Sequence, residues 1–253
     1  MGFNSAQSTS NSINLRYSAF VGMLYISNPE TEQLMKEAKA LVGEAEVKKG
    51  YKGYKGDSAS AKAIAFLRKN NLYSGSVSGI LHSARVIERE SDGRPYQYLN
   101  VCLRDGQDMY YVSVELNQNG AQMLARKLAN AQPGVFTEVG MFATYGQRDG
   151  AEQPYADHGC FLRQGFSEEN PEGSEVKGID PQEHLVPAIN AALARLEDAG
   201  ISRSDKETYA KRRASVELEY HLDLMTSVTQ MFTDFYGQRE PKNDAAYSQE
   251  KAA

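Results

Sequence analysis

The sequence YQYLNVCLRDGQDMYYVSVEL, residues 96–116, decides the fold, because apolar and polar side chains alternate along it on both sides of a turn. The alternation over 96–103 has the two-residue period of a half-buried strand, and 109–116 repeats it. Asp105-Gly106, between the two runs, is a dipeptide typical of turns. This stretch therefore predicts two consecutive strands joined by a tight turn.

The flanking sequence extends this pair into a longer series of elements. Further strand patterns cover 77–90, 135–145 and 155–163, and helical spacing covers 117–131. The order strand, strand, strand, helix, strand, strand predicts an α+β protein built on a five-stranded OB-like Greek-key barrel, with a helix between the third and fourth strands. A general α+β sheet is the alternative that this order leaves open.

Helices are predicted to flank the barrel on both sides. Helical spacing recurs over 31–43 and 59–70 before it, and over 181–199 and from 204 to about 236 after it. The Ser/Asn-rich residues 1–14 are predicted to be disordered. We divide the chain into four segments: 1–47, an N-terminal tail and short helix; 48–166, an OB-like nucleic-acid-binding domain; 167–180, an acidic linker; and 181–253, a C-terminal helical segment with a disordered tail.

Charge is unevenly distributed along this chain of 253 residues, whose net charge is −5. Residues 48–166 hold 15 basic and 11 acidic side chains, whereas 167–253 hold 10 basic and 17 acidic ones. This asymmetry predicts a middle segment that binds a polyanion and an acidic segment kept away from it. No apolar run approaches the roughly 18 residues that a membrane helix needs, so we expect no membrane partner.

The first candidate site is the segment KKGYKGYKG, residues 48–56, which interleaves lysines with tyrosines. Single-stranded nucleic acid is bound by cations that follow the phosphates and by aromatic rings that stack on bases. The alternative is a solvated loop in which the glycines are only connectors. The candidate residues are Lys48, Lys49, Tyr51, Lys52, Tyr54 and Lys55.

The second candidate site is the outward face of the strands. If Leu99, Val101 and Leu103 face the core, alternation turns Tyr96 and Tyr98 outward, and it turns Tyr111 outward while Tyr110 faces in. The alternative is that these tyrosines cover a helix from elsewhere in the chain. We predict stacking by the outward tyrosines and phosphate contacts by nearby arginines, and the set comprises Arg94, Tyr96, Tyr98, Arg104 and Tyr111. Tyr73 is a further nucleic-acid-binding candidate. Arg148, in the polar loop after the fourth predicted strand, is a candidate for a phosphate contact, and the alternative there is an ordinary hairpin loop.

A metal site and an enzyme site are both disfavoured by the motifs. His158 and Cys160 share a strand face, but no spacing motif supplies the remaining zinc ligands, and Cys102 and Cys160 are interpreted as small buried apolar residues. The sequence contains no phosphate-binding loop, nucleophile elbow or HExxH motif. We therefore predict no metal, no cofactor and no catalysis.

On three features the chain resembles the bacteriophage-type OB-fold single-stranded DNA-binding proteins: the element order of residues 75–165, the outward tyrosines and the lysine–tyrosine segment. The resemblance implies sequence-tolerant binding during replication or recombination in the host cytoplasm, and recruitment of a polymerase or another replication protein through the C-terminal segment. The chain departs from many such proteins in its last residues, AYSQEKAA, which are not an acidic tail ending in an aromatic residue.

Two questions stay open at the level of sequence. The pattern does not separate DNA from RNA as the ligand. The alternative function, from another class, is a protein-interaction module that recruits a polymerase or another replication or transcription partner, in which the tyrosines would form a hot-spot patch.

Overall fold

The computed structural model describes residues 11–91, 93–147 and 153–238, which form one mixed sheet and six helices. The strands are β1 Asn11–Ser18, β2 Met23–Ile26, β3 Ser76–Ser91, β4 Arg94–Asp105, β5 Asp108–Glu115, β6 Phe136–Gly146, β7 Tyr155–Gln164 and β8 Ser174–Glu175. The helices are α1 Pro29–Val42, α2 Glu44–Lys48, α3 Ala59–Lys69, α4 Asn119–Leu128, α5 Leu185–Asp198 and α6 Lys206–Gly237.

The eight strands are ordered β2-β1-β5-β4-β3-β6-β7-β8. All neighbours are antiparallel except β1 and β5, which run parallel with Asn11 beside Asp108. A single further pair, Met23 with Phe142, joins β2 to β6. The long strands β3, β4 and β5 form a meander, and the turn between the last two places Gly106 at a positive φ of 57°.

The chain is α+β, as predicted, but the predicted five-stranded OB-like barrel is wrong, because the sheet has eight strands and is not a barrel. The main reason is the N-terminal hairpin of β1 and β2. Residues 11–14, which we predicted to be disordered, are the first half of β1, and β1 takes the place beside β5. Residues 1–10 lie outside the described residues.

The main core lies on one face of the sheet and is covered by α4 and the C-terminal half of α6. Alternate residues of the strands point into it, as the period of two predicts. The helices contribute residues spaced three or four apart, including Leu124 and Leu128 from α4 and Val228 and Phe232 from α6. The buried strand residues are Leu15, Leu24, Val77, Leu81, Ala84, Leu99, Val101, Leu103, Val112, Val114, Val139, Met141, Cys160 and Leu162.

Two smaller cores lie beside the main one. One joins β2 to α1 and α3, and it includes Met35 and Leu67. Helix α1 begins at Pro29 because Asn28 caps it: the Asn28 side chain accepts a hydrogen bond from the Thr31 N–H at 2.9 Å. The third core packs α5 against the N-terminal half of α6.

The predicted helices at 31–43, 59–70, 117–131, 181–199 and in the long C-terminal stretch are confirmed as α1, α3, α4, α5 and α6, within a few residues at their ends. The segments that we separated by composition contribute to a common sheet, since 1–47 supplies β1 and β2 and 167–180 supplies β8. None of the helices in the described ranges is long and apolar enough to cross a membrane.

Candidate nucleic-acid interface

The face of the sheet that points away from the main core carries a group of arginines and tyrosines. Directly paired residues on neighbouring strands share a face, and Arg85, Asn100 and Ser113 lie in one such row across β3, β4 and β5. Arg16 of β1 continues the row beside Ser113. We call this surface the arginine–tyrosine face; it consists of Arg16, Arg85, Arg89, Tyr96, Tyr98, Arg104 and Tyr111.

One end of this face is a stacked pair of side chains. The Arg89 guanidinium lies 5.1 Å from the centre of the Tyr98 ring, which is a cation–π contact. Arg89 is exposed and Tyr98 is half-buried. A planar guanidinium and an aromatic ring are both surfaces on which a nucleic-acid base stacks, so this pair presents a flat cationic surface.

The middle of the face is organised by Cys102, which is 1% exposed. Burial raises the pKa of its thiol, and hydrogen bonds with Tyr111 and Ser83 together with the nearby arginines Arg85 and Arg104 oppose that rise. Burial and the contact with Cys102 also raise the pKa of Tyr111. The thiol therefore stays neutral beside Tyr111, its partner on β5.

The charge of the arginine–tyrosine face is largely uncompensated. Within the described ranges, Arg85, Arg89 and Arg104 form no ion pair, whereas Arg16 pairs with Glu32 at 3.4 Å. Like charges on one sheet face repel each other, which costs stability. A face that keeps three guanidinium groups without carboxylate partners is therefore suited to an external anion.

A cleft of about 580 Å³ separates this face from α1. Its lining includes three cations, Arg16, Lys39 and Arg89, and three carboxylates, Glu32, Glu90 and Glu115. Glu32 is held there because it accepts hydrogen bonds from the Ser27 hydroxyl at 2.6 Å and from the Tyr25 hydroxyl at 3.2 Å. The end beside α1 is thus balanced in charge, and the excess positive charge lies toward Arg85 and Arg104.

The lysine–tyrosine segment is held in place rather than being a solvated connector. The Ser60 hydroxyl donates to the Gly53 carbonyl oxygen at 2.8 Å and accepts from the Lys52 N–H at 2.9 Å, which ties the segment to α3. Gly50, Gly53 and Gly56 all have positive φ, between 74° and 87°, so the glycine at every third position is required by the backbone. Two of its lysines are engaged in exposed ion pairs, Lys48 with Glu44 at 3.0 Å and Lys49 with Glu46.

The two tyrosines of this segment have different surroundings, since Tyr51 is buried and Tyr54 is exposed. Tyr51 is 5% exposed and packs in the second core against His158, so the prediction that it offers an open stacking surface is wrong. Tyr54, one step of the glycine repeat later, is 54% exposed, and the Lys55 ammonium lies 5.3 Å from its ring centre. Tyr73, in the connection from α3 to β3, is also exposed.

Of the other predicted residues, Tyr96, Tyr98, Arg104 and Tyr111 come together on the arginine–tyrosine face as the alternation predicts. Arg94 begins β4, and only its backbone position is described. Arg148 lies outside the described residues.

Sequence reasoning missed three arginines of the face: Arg16, Arg85 and Arg89. The signal that identifies the latter two is the alternation over 84–89, in which Ala84 and Val86 face inward. The same period over 13–17 places Arg16 on the outward face.

His158, the candidate metal ligand, already forms a hydrogen bond within the protein. The Nδ1 atom of His158 lies 2.7 Å from the Tyr17 hydroxyl, which is also 3.0 Å from the carbonyl oxygen of Phe142. Burial lowers the pKa of His158, which favours its neutral form. Within the described ranges, no three histidine, cysteine, aspartate or glutamate side chains are grouped as metal ligands.

The comparisons with known proteins add no relative. No protein-family model, curated protein or solved structure matches the chain. The resemblance to phage-type single-stranded DNA-binding proteins therefore stays a prediction in its functional part, while its barrel fold is contradicted by the eight-stranded sheet. A function for this chain has to be inferred from the positions of its own side chains.

Proposed function

We propose that the protein binds single-stranded DNA without sequence preference, along the arginine–tyrosine face, and acts without catalysis in DNA replication or recombination. Guanidinium groups would neutralise phosphates, and the outward tyrosines and Arg89 would stack on bases. Stacking of this kind requires unpaired bases, so the single strand is the expected ligand and the duplex is not. The reducing cytoplasm belongs to the same proposal, in keeping with two free buried cysteines, Cys102 and Cys160.

One observation carries this proposal: three guanidinium groups without carboxylate partners surround aromatic rings on a single sheet face. A purely structural role explains it less well, because a stabilising surface pairs opposite charges across strands. A protein with net charge −5 can still bind a polyanion when its cations are gathered on one surface.

The test is a binding titration that is monitored through the fluorescence anisotropy of labelled oligonucleotides. We expect oligo-dT to bind more tightly than a duplex of equal length, and the affinity to fall with salt at a slope of about −0.7 per phosphate contacted. An oligo-rU strand in the same titration separates DNA from RNA. Equal affinity for the duplex and the single strand would contradict the stacking proposal.

The decisive variant replaces Arg85, Arg89 and Arg104 by glutamine, which keeps most of the length of the side chains. We expect the salt slope to become shallower by about 2 and the affinity for oligo-dT to fall at least tenfold. The matched control removes the same number of positive charges by replacing three exposed cations of the helical region with glutamine: Arg195, Lys211 and Arg213. If the control weakens binding as much as the test variant, net charge rather than the arginine–tyrosine face determines binding.

Recruitment of a polymerase or another replication protein by residues 181–253 stays a prediction. Part of this segment is needed for the fold, because Met225, Val228 and Phe232 of α6 belong to the main core. In the described part of the segment, a partner can therefore contact only the exposed sides of α5 and α6, the latter including Ser227 and Gln230.

A further inference from the structure

Two phenylalanine rings lie flat on the outward face of β6 and β7, each over a glycine of the opposite strand. Phe161 is paired with Gly140, and a methyl group on that glycine would come within 2.3 Å of the ring. Phe142 is paired with Gly159, where the corresponding distance is 2.7 Å. The glycines therefore allow each ring to rest directly on the neighbouring backbone.

The outward face of β6 and β7 leaves aromatic surface accessible to solvent. Phe142 is 42% exposed, and Phe136, farther along the same face of β6, is 44% exposed. The Arg163 guanidinium lies 4.8 Å from the centre of the Phe161 ring. Exposed aromatic side chains on one sheet face commonly mark a binding site. The carboxylate of Glu138, between Phe136 and Gly140 on this face, is paired with Arg163 at 3.6 Å.

The spacing of the two rings suits consecutive unpaired bases. Phe161 lies two residues beyond Gly159, the partner of Phe142, so the two phenylalanines are diagonal neighbours on an antiparallel pair. Such neighbours are about 7–8 Å apart. Aromatic side chains at neighbouring positions of an open sheet are the means by which other sheet proteins stack two or three bases of a single strand.

The surface lies on the same side of the sheet as the arginine–tyrosine face. Arg104 is paired with Ile80, and Ile80 is paired with Phe136, so the arginine–tyrosine face is two strands away, or about 10 Å. At the other end of β6, Tyr145 lies beside the lysine–tyrosine segment, since a methyl group on Gly53 would lie 3.8 Å from the Tyr145 Cβ, but alternation places Tyr145 on the face of β6 opposite to Phe142. The phenylalanines are therefore reached from the arginine–tyrosine face and not from the lysine–tyrosine segment.

We propose that Phe142 and Phe161 form a stacking platform for two bases of the bound single strand, and that the strand continues onto this phenylalanine platform from the arginine–tyrosine face. The inference rests on the proposed function and extends it: it gives the direction in which the strand runs.

The test compares a leucine pair, Phe142→Leu with Phe161→Leu, against a tyrosine pair, Phe142→Tyr with Phe161→Tyr. Leucine keeps an apolar side chain over each glycine but removes the aromatic face, whereas tyrosine keeps that face. Affinities are measured by anisotropy with oligo-dT of about 6 and about 20 nucleotides, since only the longer strand spans both surfaces. Urea denaturation of each variant checks that the fold is retained.

We expect the leucine pair to bind the long oligonucleotide about tenfold or more weakly, the tyrosine pair to bind it like the wild type, and the short oligonucleotide to bind all three alike. If the leucine pair binds the long oligonucleotide as tightly as the wild type does, the platform is wrong and the proposed function is unaffected. No binding of either strand by the wild type at low salt overturns both. A wild-type dimer that the leucine pair converts to monomers in sedimentation assigns the surface to a second copy of the chain and also overturns the platform.

Discussion

His221 is fully buried on α6 and has only one of its ring nitrogens satisfied. Its Nδ1 lies 2.6 Å from the Glu217 carbonyl oxygen, and Nε2 has no hydrogen-bond partner in the described structure. Burial lowers the pKa of His221, and the positive charge of Arg126 lowers it further, while Glu217 opposes the shift. The folded protein therefore holds this imidazole neutral.

A neutral buried histidine makes stability depend on pH. Its pKa is lower in the folded than in the unfolded chain, so stability is complete above the ordinary value of about 6.5 and falls as the pH drops from there toward the folded value. We expect His221→Met to make the free energy of unfolding less dependent on pH between 7.5 and 5.5, by at most about 1.4 kcal/mol per pH unit. Urea denaturation across this range measures it.

His184 provides the control for this prediction, because it is exposed at the start of α5. His184→Gln should leave the pH dependence of unfolding as it is in the wild type. A pH profile that His221→Met leaves unchanged would show that other groups, such as the partly buried His82 and His158, determine the acid sensitivity.

The face on which a side chain lies could be predicted from sequence only where the residues around it follow a helix or strand period. The alternation over 96–103 correctly turned Tyr96 and Tyr98 away from the core. Tyr51 could not be assigned in this way, because a segment with glycine at every third position has no helix or strand period. Its burial depends on contacts with residues distant in sequence, such as His158.

Strands β3 and β4 approach each other closely where Gly79 lies. A methyl group at Gly79 would be 2.8 Å from the backbone carbonyl oxygen of Arg104, and a backbone atom in a paired strand cannot move aside cheaply. We expect Gly79→Ala to lower the free energy of unfolding by about 1–3 kcal/mol. Calorimetry or urea denaturation is the measurement.

Gly75, just before β3, is the matched position for this substitution. A methyl group there meets no atom within 4 Å, and the residue is exposed. Gly75→Ala should leave stability unchanged or raise it by up to about 1 kcal/mol, because alanine restricts the unfolded chain. Equal losses at the two positions would refute the close approach as the cause.

Elements with strong local patterns were predicted, and those defined by distant pairing were not. The meander of β3, β4 and β5 and the helices α1, α3, α4, α5 and α6 all carry a clear period in sequence. β1 has a period over 13–17, but its polar flanks outweigh it, and no local feature shows that it pairs in parallel with β5. The barrel prediction failed in part because this pairing adds the β1–β2 hairpin to the sheet beside β5.

The stability of the whole molecule depends on α6, the last helix of the described chain, which covers one face of the sheet. Phe232 is 4% exposed within the main core. We expect Phe232→Ala to lower the free energy of unfolding by about 3–5 kcal/mol, whereas Leu41→Ala, at a side chain 62% exposed, changes it by less than about 0.5 kcal/mol. If both variants unfold at the same urea concentration, α6 does not stabilise the sheet.

The same dependence determines how partner recruitment has to be tested. Deleting 167–253 would remove β8 and α6, and it would expose the main core along with any partner site. Substitutions of exposed residues on α5, such as Arg195, keep the core covered. These are the changes that separate recruitment from stability.

The parallel pairing of β1 with β5 also has a consequence for biosynthesis. Asn11 cannot pair with Asp108 until that residue has been synthesised. The two residues are separated by 97 positions, which at about 5–20 residues per second corresponds to roughly 5–20 s of translation. The core closes later still, when Phe232 has left the ribosome. Until β5 has been synthesised, the nascent chain therefore carries an amphipathic N-terminal hairpin in which the β5-facing edge of β1 has no partner, and we expect that edge to be the chief client surface for chaperones.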